Sequence, residues 1–427
     1  MFSSRILWLC VLSGVLRLAV LWVTPMGEPR EYEQVVIARN ALAGDGFGMA
    51  WPYQPLDSAR AELWRTDPTP HPSAFMPPFV PAVATAVFAV AGGDAFGIMM
   101  LLVLQSLVGA LIPLFIYRIA QRFASERSSL IAAALSLLYL PGLVSSATPA
   151  GAVWYTVCGL VVVDLAQRVV GGERREWLFG IALGLLTLMR SEFLALGIVM
   201  CCLPLLKRNW KGAALALSMM MVVISPWLVR NAAEFGQPTG IITHPWREMW
   251  RGANVHASGS GFAADGWNIW EGERYPEIVA KLDSLPLTRT YELDADKVFE
   301  AEVKAYIAAD PVRWLMLGIK KVTMLWTIDP YYPKGKTLAY IVPTLITGLL
   351  LVVALLLAIR RLLRERTLVS QVVPILIIAV GMTGLFAITY VLPRYQTYLF
   401  TVCMPLAAIL ADTVPSGRST VDHELRG

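Results

Sequence analysis

The chain has 427 residues, of which 56% are hydrophobic and 16% charged, with a formal net charge of +5 and a mean hydropathy of +0.58. That much apolar residue excludes an ordinary soluble globular domain, and apolar runs recurring from end to end predict an all-α polytopic membrane protein. No basic stripe with interleaved aromatics stands on a polar face, which argues against nucleic acid as a partner. The five cysteines (Cys10, Cys158, Cys201, Cys202 and Cys403) fall in apolar runs, where neither a disulfide nor a thiolate metal site is expected.

The first apolar run, Ile6 to Val23, follows Arg5. No small-x-small cleavage site comes after it, and Thr24-Pro25-Met26-Gly27 reads as a helix exit, so the run is expected to be a retained anchor. Glu28 and Glu31 come next, beside the membrane surface. A short helix pattern (Val36, Ile37, Leu42) then runs into Gly44 and Gly46, which can end it. Carboxylates held at a bilayer surface ahead of a large polar loop point to chemistry on a lipid-borne substrate.

Charge gives the topology. The positive-inside rule places Arg118/Arg122/Arg127, Arg168/Arg174/Arg175, Lys207/Arg208/Lys211 and Arg360/Arg361/Arg364/Arg366 in the cytoplasm. Neighbouring clusters must then be separated by an even number of crossings. The turns at Ser145–Gly151, near Arg190-Ser191-Glu192 and at Leu392-Pro393-Arg394-Tyr395 are therefore external, as is the long polar segment from Arg230 to Lys336. With Arg5 inside as well, only two of the three apolar runs before Arg118 can cross. Met76–Ala91 is the shortest and opens with Pro77-Pro78 and Pro81, so it is expected to lie in the interface or to re-enter the membrane from outside; the alternative is that it spans fully and one basic cluster is external.

The expected architecture is about ten transmembrane helices plus interfacial helices and an external helical loop region. Residues 1–229 form an N-terminal transmembrane module with an external first loop at 26–95. Residues 230–337 form the external loop region, with a helical pattern from Ala295 to Ala309 and an amphipathic run, Val312–Trp326. The C-terminal transmembrane helices occupy 338–412 and a cytoplasmic tail 413–427.

Glu28 and Glu31 sit where the phosphate of a lipid-linked substrate would lie. The competing reading is a pair of solvated loop acids whose charge suits the following helix dipole. His71, Arg190, Arg230, His244, Arg247, Arg394 and Tyr395 share the external face. Arg394 stands alone in a tight turn, and Arg190 does so with Glu192 two residues on. Each is a candidate cation for a phosphate, or else an interfacial side chain in an ion pair. Asp164 is expected to pair with Arg168 one turn on. Asp294-Ala295-Asp296 spells the D-x-D by which soluble glycosyltransferases hold a metal and a nucleotide sugar, but Thr288 to Lys297 also reads as the acidic start of a helix. No G-x-x-x-x-G-K-[ST], H-E-x-x-H or G-x-S-x-G occurs.

Taken in order, Glu28-x-x-x-Tyr32, Ala38-Arg39-Asn40, Gly44-Asp45-Gly46, Pro77-Pro78-Phe79-Val80-Pro81, Leu188-Met189-Arg190, Pro226-Trp227-Leu228-Val229-Arg230-Asn231 and Arg394-Tyr395 resemble the membrane glycosyltransferases of the GT-C fold. The likeness is to the branch with the protein O-mannosyltransferases and the aminoarabinose transferase of lipid A, glycosyltransferase family 39. It implies transfer of a sugar from a polyprenyl-phosphate donor onto a lipid, glycan or protein acceptor at the external face. Glu28 matches the first-loop acid, with Glu31 as rival. One carboxylate to take the acceptor hydroxyl's proton suffices, because a sugar phosphate already carries a good leaving group; attack opposite the phosphate inverts the anomeric centre. Arg394, Arg190 and His71 would serve the phosphate, with Tyr32 and Tyr395 in the matched motifs.

The sequence departs from the family at two places. Thr148-Pro149 stands where members carry a second acid after Thr, and Met76 where some carry Lys. A divalent metal at Glu28 or Glu31 is neither required nor ruled out. A transporter or lipid flippase would show internal repeats and charges at the bilayer midplane, and neither is visible. A non-catalytic scaffold of an envelope polysaccharide complex is the other alternative. The charge pattern suits a bacterial inner membrane with the active face in the periplasm.

Overall fold

A chain in hydrocarbon must satisfy its own backbone, and these apolar runs do so as helices. A computed structural model describes residues 4–24, 32–49, 70–92, 94–263, 265–266, 269, 275–365 and 368–413. The first half holds α1 (Ser4–Val23), α2 (Glu33–Ala43), α3 (Phe79–Ala91), α4 (Asp94–Gly109), α5 (Ile112–Ala120), α6 (Glu126–Leu138), α7 (Leu140–Val144), α8 (Ala152–Gly171), α9 (Glu176–Met189), α10 (Phe193–Cys201) and α11 (Trp210–Phe235). Next come α12 (Pro245–Trp250), α13 (Pro276–Asp283), α14 (Tyr291–Ala309) and α15 (Pro311–Trp326), and then α16 (Leu338–Arg364), α17 (Val369–Ile388), α18 (Pro393–Cys403) and α19 (Ala407–Asp412). Two short strands, β1 (Gly48–Met49) and β2 (His71–Pro72), form an antiparallel ribbon.

Local chemistry sets the boundaries. Gly44 ends α2 with φ 99°, a conformation glycine adopts without strain. Asn209 caps α11 by accepting from the Gly212 N–H at 2.8 Å, and Asp310 caps α15 by accepting from the Arg313 N–H at 2.8 Å, with Pro311 in the first turn. Gly180 and Gly184 let α9 lie against α11, where a side chain at Gly180 would collide with the Ala216 carbonyl.

Among the described residues six helices are long and apolar enough to cross a membrane: Ser4–Val23, Ala95–Ala120, Ala152–Gly171, Trp210–Phe235, Leu338–Arg364 and Val369–Ile388. Glu126–Leu138 and Leu140–Ala147, bent by 65°, make a seventh if they count as one span. The expected ten is not reached on length and composition. Glu176–Met189 and Phe193–Lys207 are shorter apolar helices, and the last run breaks into α18 and α19. The 14 residues of α9 rise only about 21 Å, against the ~30 Å of a hydrocarbon core. The 13-residue α3 is shorter still.

The basic clusters gather at one end of the bundle. Asp164, near the end of α8, receives Arg168 at 3.1 Å as its spacing predicts, and also Arg118 at 3.0 Å and Arg122 at 2.6 Å. Arg361 donates to the Phe123 carbonyl at 3.3 Å. The Ser125 hydroxyl donates to Asp412 at 2.7 Å. Asn209, beside Lys207 and Lys211, donates to Glu176 at 2.8 Å. Arg5 and Arg127 line one groove there.

A buried arginine ties α1 to the opposite half of the bundle. Arg17 is 2% exposed and donates to the Gly142 carbonyl at 2.9 Å and the Ser146 hydroxyl at 2.7 Å. Gln105 donates to the Thr148 carbonyl at 2.9 Å. Together they fix the turn between α7 and α8. Helices α12, α13 and α14 build a separate small core around Trp250, Tyr275, Leu282, Tyr291 and Phe299. The D-x-D carboxylates serve this layer. Asp296 accepts the Trp246 and Arg247 N–H groups at the start of α12, at 3.3 and 3.0 Å, and Asp294 is taken by Thr290 and Lys297.

Candidate active site

A cavity of about 760 Å³ opens at the end of the bundle away from the basic clusters. Several pieces of chain bring side chains to it. The start of α2 contributes Tyr32 and Glu33, the latter in the first turn, where a carboxylate suits the positive end of the helix. The Pro77-Pro78 segment and the α7–α8 turn supply apolar walls, Met76, Val80, Pro141 and Val144. Arg190 caps α9 in an extended conformation, which turns it out of the helix. Residues 244–251 bring His244, Arg247, Glu248 and Arg251. Leu392 is extended and Pro393 starts α18, which sets Arg394 and Tyr395 in the first turn of a helix facing the cavity.

The charges fall into two groups. In the first, Arg190 pairs with Glu192 and lies over the rings of Tyr395 at 4.6 Å and Tyr155 at 5.2 Å. Tyr395 in turn stacks on Phe386 at 4.4 Å and 6°. Arg394 is exposed into the cavity, lies 5.3 Å over the Tyr395 ring, and its Nη2 is 3.4 Å from the Tyr395 hydroxyl. Among the described residues no carboxylate pairs with Arg394. In the second group, Glu248 receives Arg247 at 3.4 Å and the Tyr390 hydroxyl at 2.7 Å, and lies 3.7 Å from His244 Nε2. Arg251 donates to the Tyr390 hydroxyl at 2.9 Å.

The second group is electrostatically set. Burial works against the Glu248 carboxylate, but Arg251, His244 and Arg247 outweigh it and hold its pKa down at about 2. Burial, and then the two arginines, push His244 down to about 3 against the pull of Glu248, so its imidazole is neutral at pH 7. Its ring stacks on Phe75 at 4.1 Å. Burial pushes Asp296 up to about 7 despite the N–H groups it accepts. Among the described residues the cavity therefore offers a cation with no carboxylate partner, Arg394; another, Arg190, shared with Glu192; aromatic faces; and a carboxylate with no ion pair, Glu33.

Of the residues singled out in the sequence, Tyr32, Arg190, His244, Arg247, Arg394 and Tyr395 line this one cavity. His71 does not: it sits in β2 opposite Met49. Glu28 and Glu31 lie outside the described residues. Arg230 is occupied with backbone, donating to the Ser73 carbonyl at 2.8 Å and the Phe47 carbonyl at 2.9 Å. Buried Glu292 accepts from the Ser73 and Thr243 hydroxyls, both at 2.5 Å, and from the Ala74 N–H at 3.2 Å. These two residues hold the wall that carries Phe75 and His244. Glu33, Glu248, Arg251, Tyr332, Tyr340 and Tyr390 line the cavity without having stood out in the sequence. Tyr390 had one signal, since it shares a short turn with Arg394 and Tyr395. Among the described residues no group of three or more His, Cys, Asp or Glu could hold a metal ion.

No protein-family model matches the sequence, and no curated protein matches it. In structure the chain is similar to the archaeal oligosaccharyltransferase AglB from Archaeoglobus fulgidus in complex with an inhibitory peptide and a dolichol-phosphate. The TM-score is 0.55 at 13% identity, over 96% of this chain and 50% of that one. The apo form of that enzyme gives a TM-score of 0.54 at 12% identity, over the same shares. A looser overlap, with a TM-score of 0.41 at 15% identity, is with ArnT from Cupriavidus metallidurans bound to undecaprenyl phosphate, over 94% of this chain and 77% of that one. The chain spans about half the length of the oligosaccharyltransferase. What the two share is the fold, the all-α membrane architecture of the GT-C class.

Proposed function

We propose that this chain is an integral membrane glycosyltransferase that moves a sugar from a polyprenyl-phosphate donor onto an acceptor hydroxyl at the external membrane face. The observation that carries the reading is one cavity holding a guanidinium, Arg394, and a carboxylate, Glu33, neither of which has an ion pair among the described residues. A lipid phosphate requires the first and a hydroxyl nucleophile the second. The fold supports it as well, since the oligosaccharyltransferase that shares it was captured with a dolichol-phosphate. The cavity lies at the end away from the basic clusters, and the positive-inside rule makes that end external. The same rule suits a bacterial inner membrane with the cavity in the periplasm.

In this reading Arg394 and Arg190 hold the phosphate, and Tyr32 lies on the wall beside them. The acceptor oxygen attacks the anomeric carbon, the bond from that carbon to the phosphate oxygen breaks, and polyprenyl phosphate leaves with the electron pair. A carboxylate of the first loop takes the hydroxyl proton, and the anomeric centre inverts. Glu28, Glu31 and Glu33 are the candidates for this base. The phosphate departs as a stabilised anion, so no general acid is needed. His71 stands away from the cavity and keeps no part in the mechanism. The test is to reconstitute the purified protein with polyprenyl-phosphate sugars and membrane extract and to follow release of polyprenyl phosphate. Release that depends on Arg394 supports the reading. No release with any sugar form, from a protein that is folded, overturns it in favour of a scaffold.

A further inference from the structure

The hydrogen bonds around Tyr390 can be oriented by counting donors. Glu248 is ionised, so its oxygens only accept. Tyr390 therefore spends its single proton on Glu248, at 2.7 Å. Its oxygen then accepts from Arg251 Nη1 at 2.9 Å. The remaining contact, Tyr390 to Tyr395, is 3.0 Å between hydroxyl oxygens. Tyr390 has no proton left, so Tyr395 must donate, and this fills Tyr390's second lone pair. Tyr395 has then spent its own proton on Tyr390. Its oxygen faces Arg394 Nη2 at 3.4 Å with lone pairs alone.

We infer that Tyr395 accepts a hydrogen bond from a hydroxyl of the transferred sugar, and that Glu248, acting through Tyr390, is the positioning residue that fixes this polarity. This rests on the lipid-linked sugar reading and narrows it. A phosphate oxygen is also a pure acceptor, so it cannot sit against the Tyr395 oxygen without repulsion. It belongs on the other N–H groups of Arg394, which carries five. A hydroxyl is the group that can donate to Tyr395. Because Arg394 touches the same oxygen, the hydroxyl that arrives there is next to the phosphate, which is where the donor sugar lies. The Tyr395 ring is held between Phe386 and Arg190, so the acceptor oxygen is fixed in place.

The experiment uses the full chain in lipid nanodiscs and two probes, undecaprenyl phosphate and the same lipid carrying a hexose. Tyr395→Phe keeps the stacked ring and removes only the oxygen. It should raise Kd for the hexose-bearing lipid about 5–10-fold while leaving the bare lipid within about twofold. Glu248→Gln supplies an amide donor that can reverse the chain, so it should show the same selective loss, and the double variant should be no worse than either single one. Glu248→Asp, which still only accepts, should recover most of the affinity. Equal losses on both lipids, or additive losses in the double variant, overturn the inference. A wild-type protein that binds neither probe removes the lipid-linked reading itself and this inference with it; one that binds only the bare lipid removes this inference alone.

Discussion

The two ends of the bundle treat charge in opposite ways. At the basic end a single carboxylate, Asp164, ties three arginines, and Arg168 and Arg175 also share Glu173. These five contacts pair four arginines with acids inside the protein. At the cavity end Arg394 and Glu33 share a space, yet neither has an ion pair among the described residues. A matched charge contributes to the fold. An unmatched one costs folding free energy in a walled space unless water or a ligand reaches it. The comparison separates the charges that build the molecule from those left open for something to bind.

Four predictions test that division, from the largest expected effect to the smallest. Replacing Glu28, Glu31 and Glu33 singly by Gln should cost one of the three variants about 10²–10⁴ in turnover, with melting temperatures unchanged. Turnover within tenfold of wild type in all three would remove the first-loop base. At the basic end, Asp164→Asn should cost about 3 kcal/mol of stability, the low end for a broken buried pair because its arginines keep some water. The loss should appear in thermal melts in detergent, with KM for the lipid donor left alone; a shifted KM would erase the contrast between the ends. Arg394→Ala should weaken binding of polyprenyl phosphate about 100-fold and leave the melting temperature in place, since no carboxylate among the described residues is stranded by its removal.

The fourth prediction concerns pH. His244 has a folded pKa of about 3 against an ordinary 6.5, so between those values the unfolded chain binds the extra proton. Stability from this group is complete above about pH 6.5 and declines as pH falls toward 3. Going from about pH 7.5 to about pH 5 should remove about 2 kcal/mol. His244→Gln should lack this part of the slope in melts at the two pH values, and identical slopes would refute it. Glu248, with its pKa depressed to about 2, adds stability that is lost only below about pH 4.5.

Much of the fold was legible because hydrocarbon leaves few options. Apolar runs and their lengths announced membrane helices, and Asp164 announced its partner one turn on. The number of spans was not legible, because the short helix Glu176–Met189 is as apolar as a spanning one. Within the cavity, Arg190 and Arg394 stood out as lone charges in apolar surroundings. Arg251, Glu248 and Tyr390 did not, because their meaning lies in contacts across 139 and 142 residues of chain that no local spacing encodes. His71 drew attention by residue type alone, and its place in a two-residue ribbon depends on a partner strand beyond the first-loop helix.

Arg17 carries a consequence for how the protein is made. Its carbonyl acceptor on Gly142 lies 125 residues downstream. At ~5–20 residues/s of synthesis, about 6–25 s separate the emergence of the two. Through that interval α1 holds an arginine that hydrocarbon does not tolerate cheaply. The helix must wait near the headgroups, in the insertion machinery or against a surrogate partner until the α7–α8 turn arrives. Helix α1 is thus locked into the bundle only after the third and fourth apolar runs have joined it.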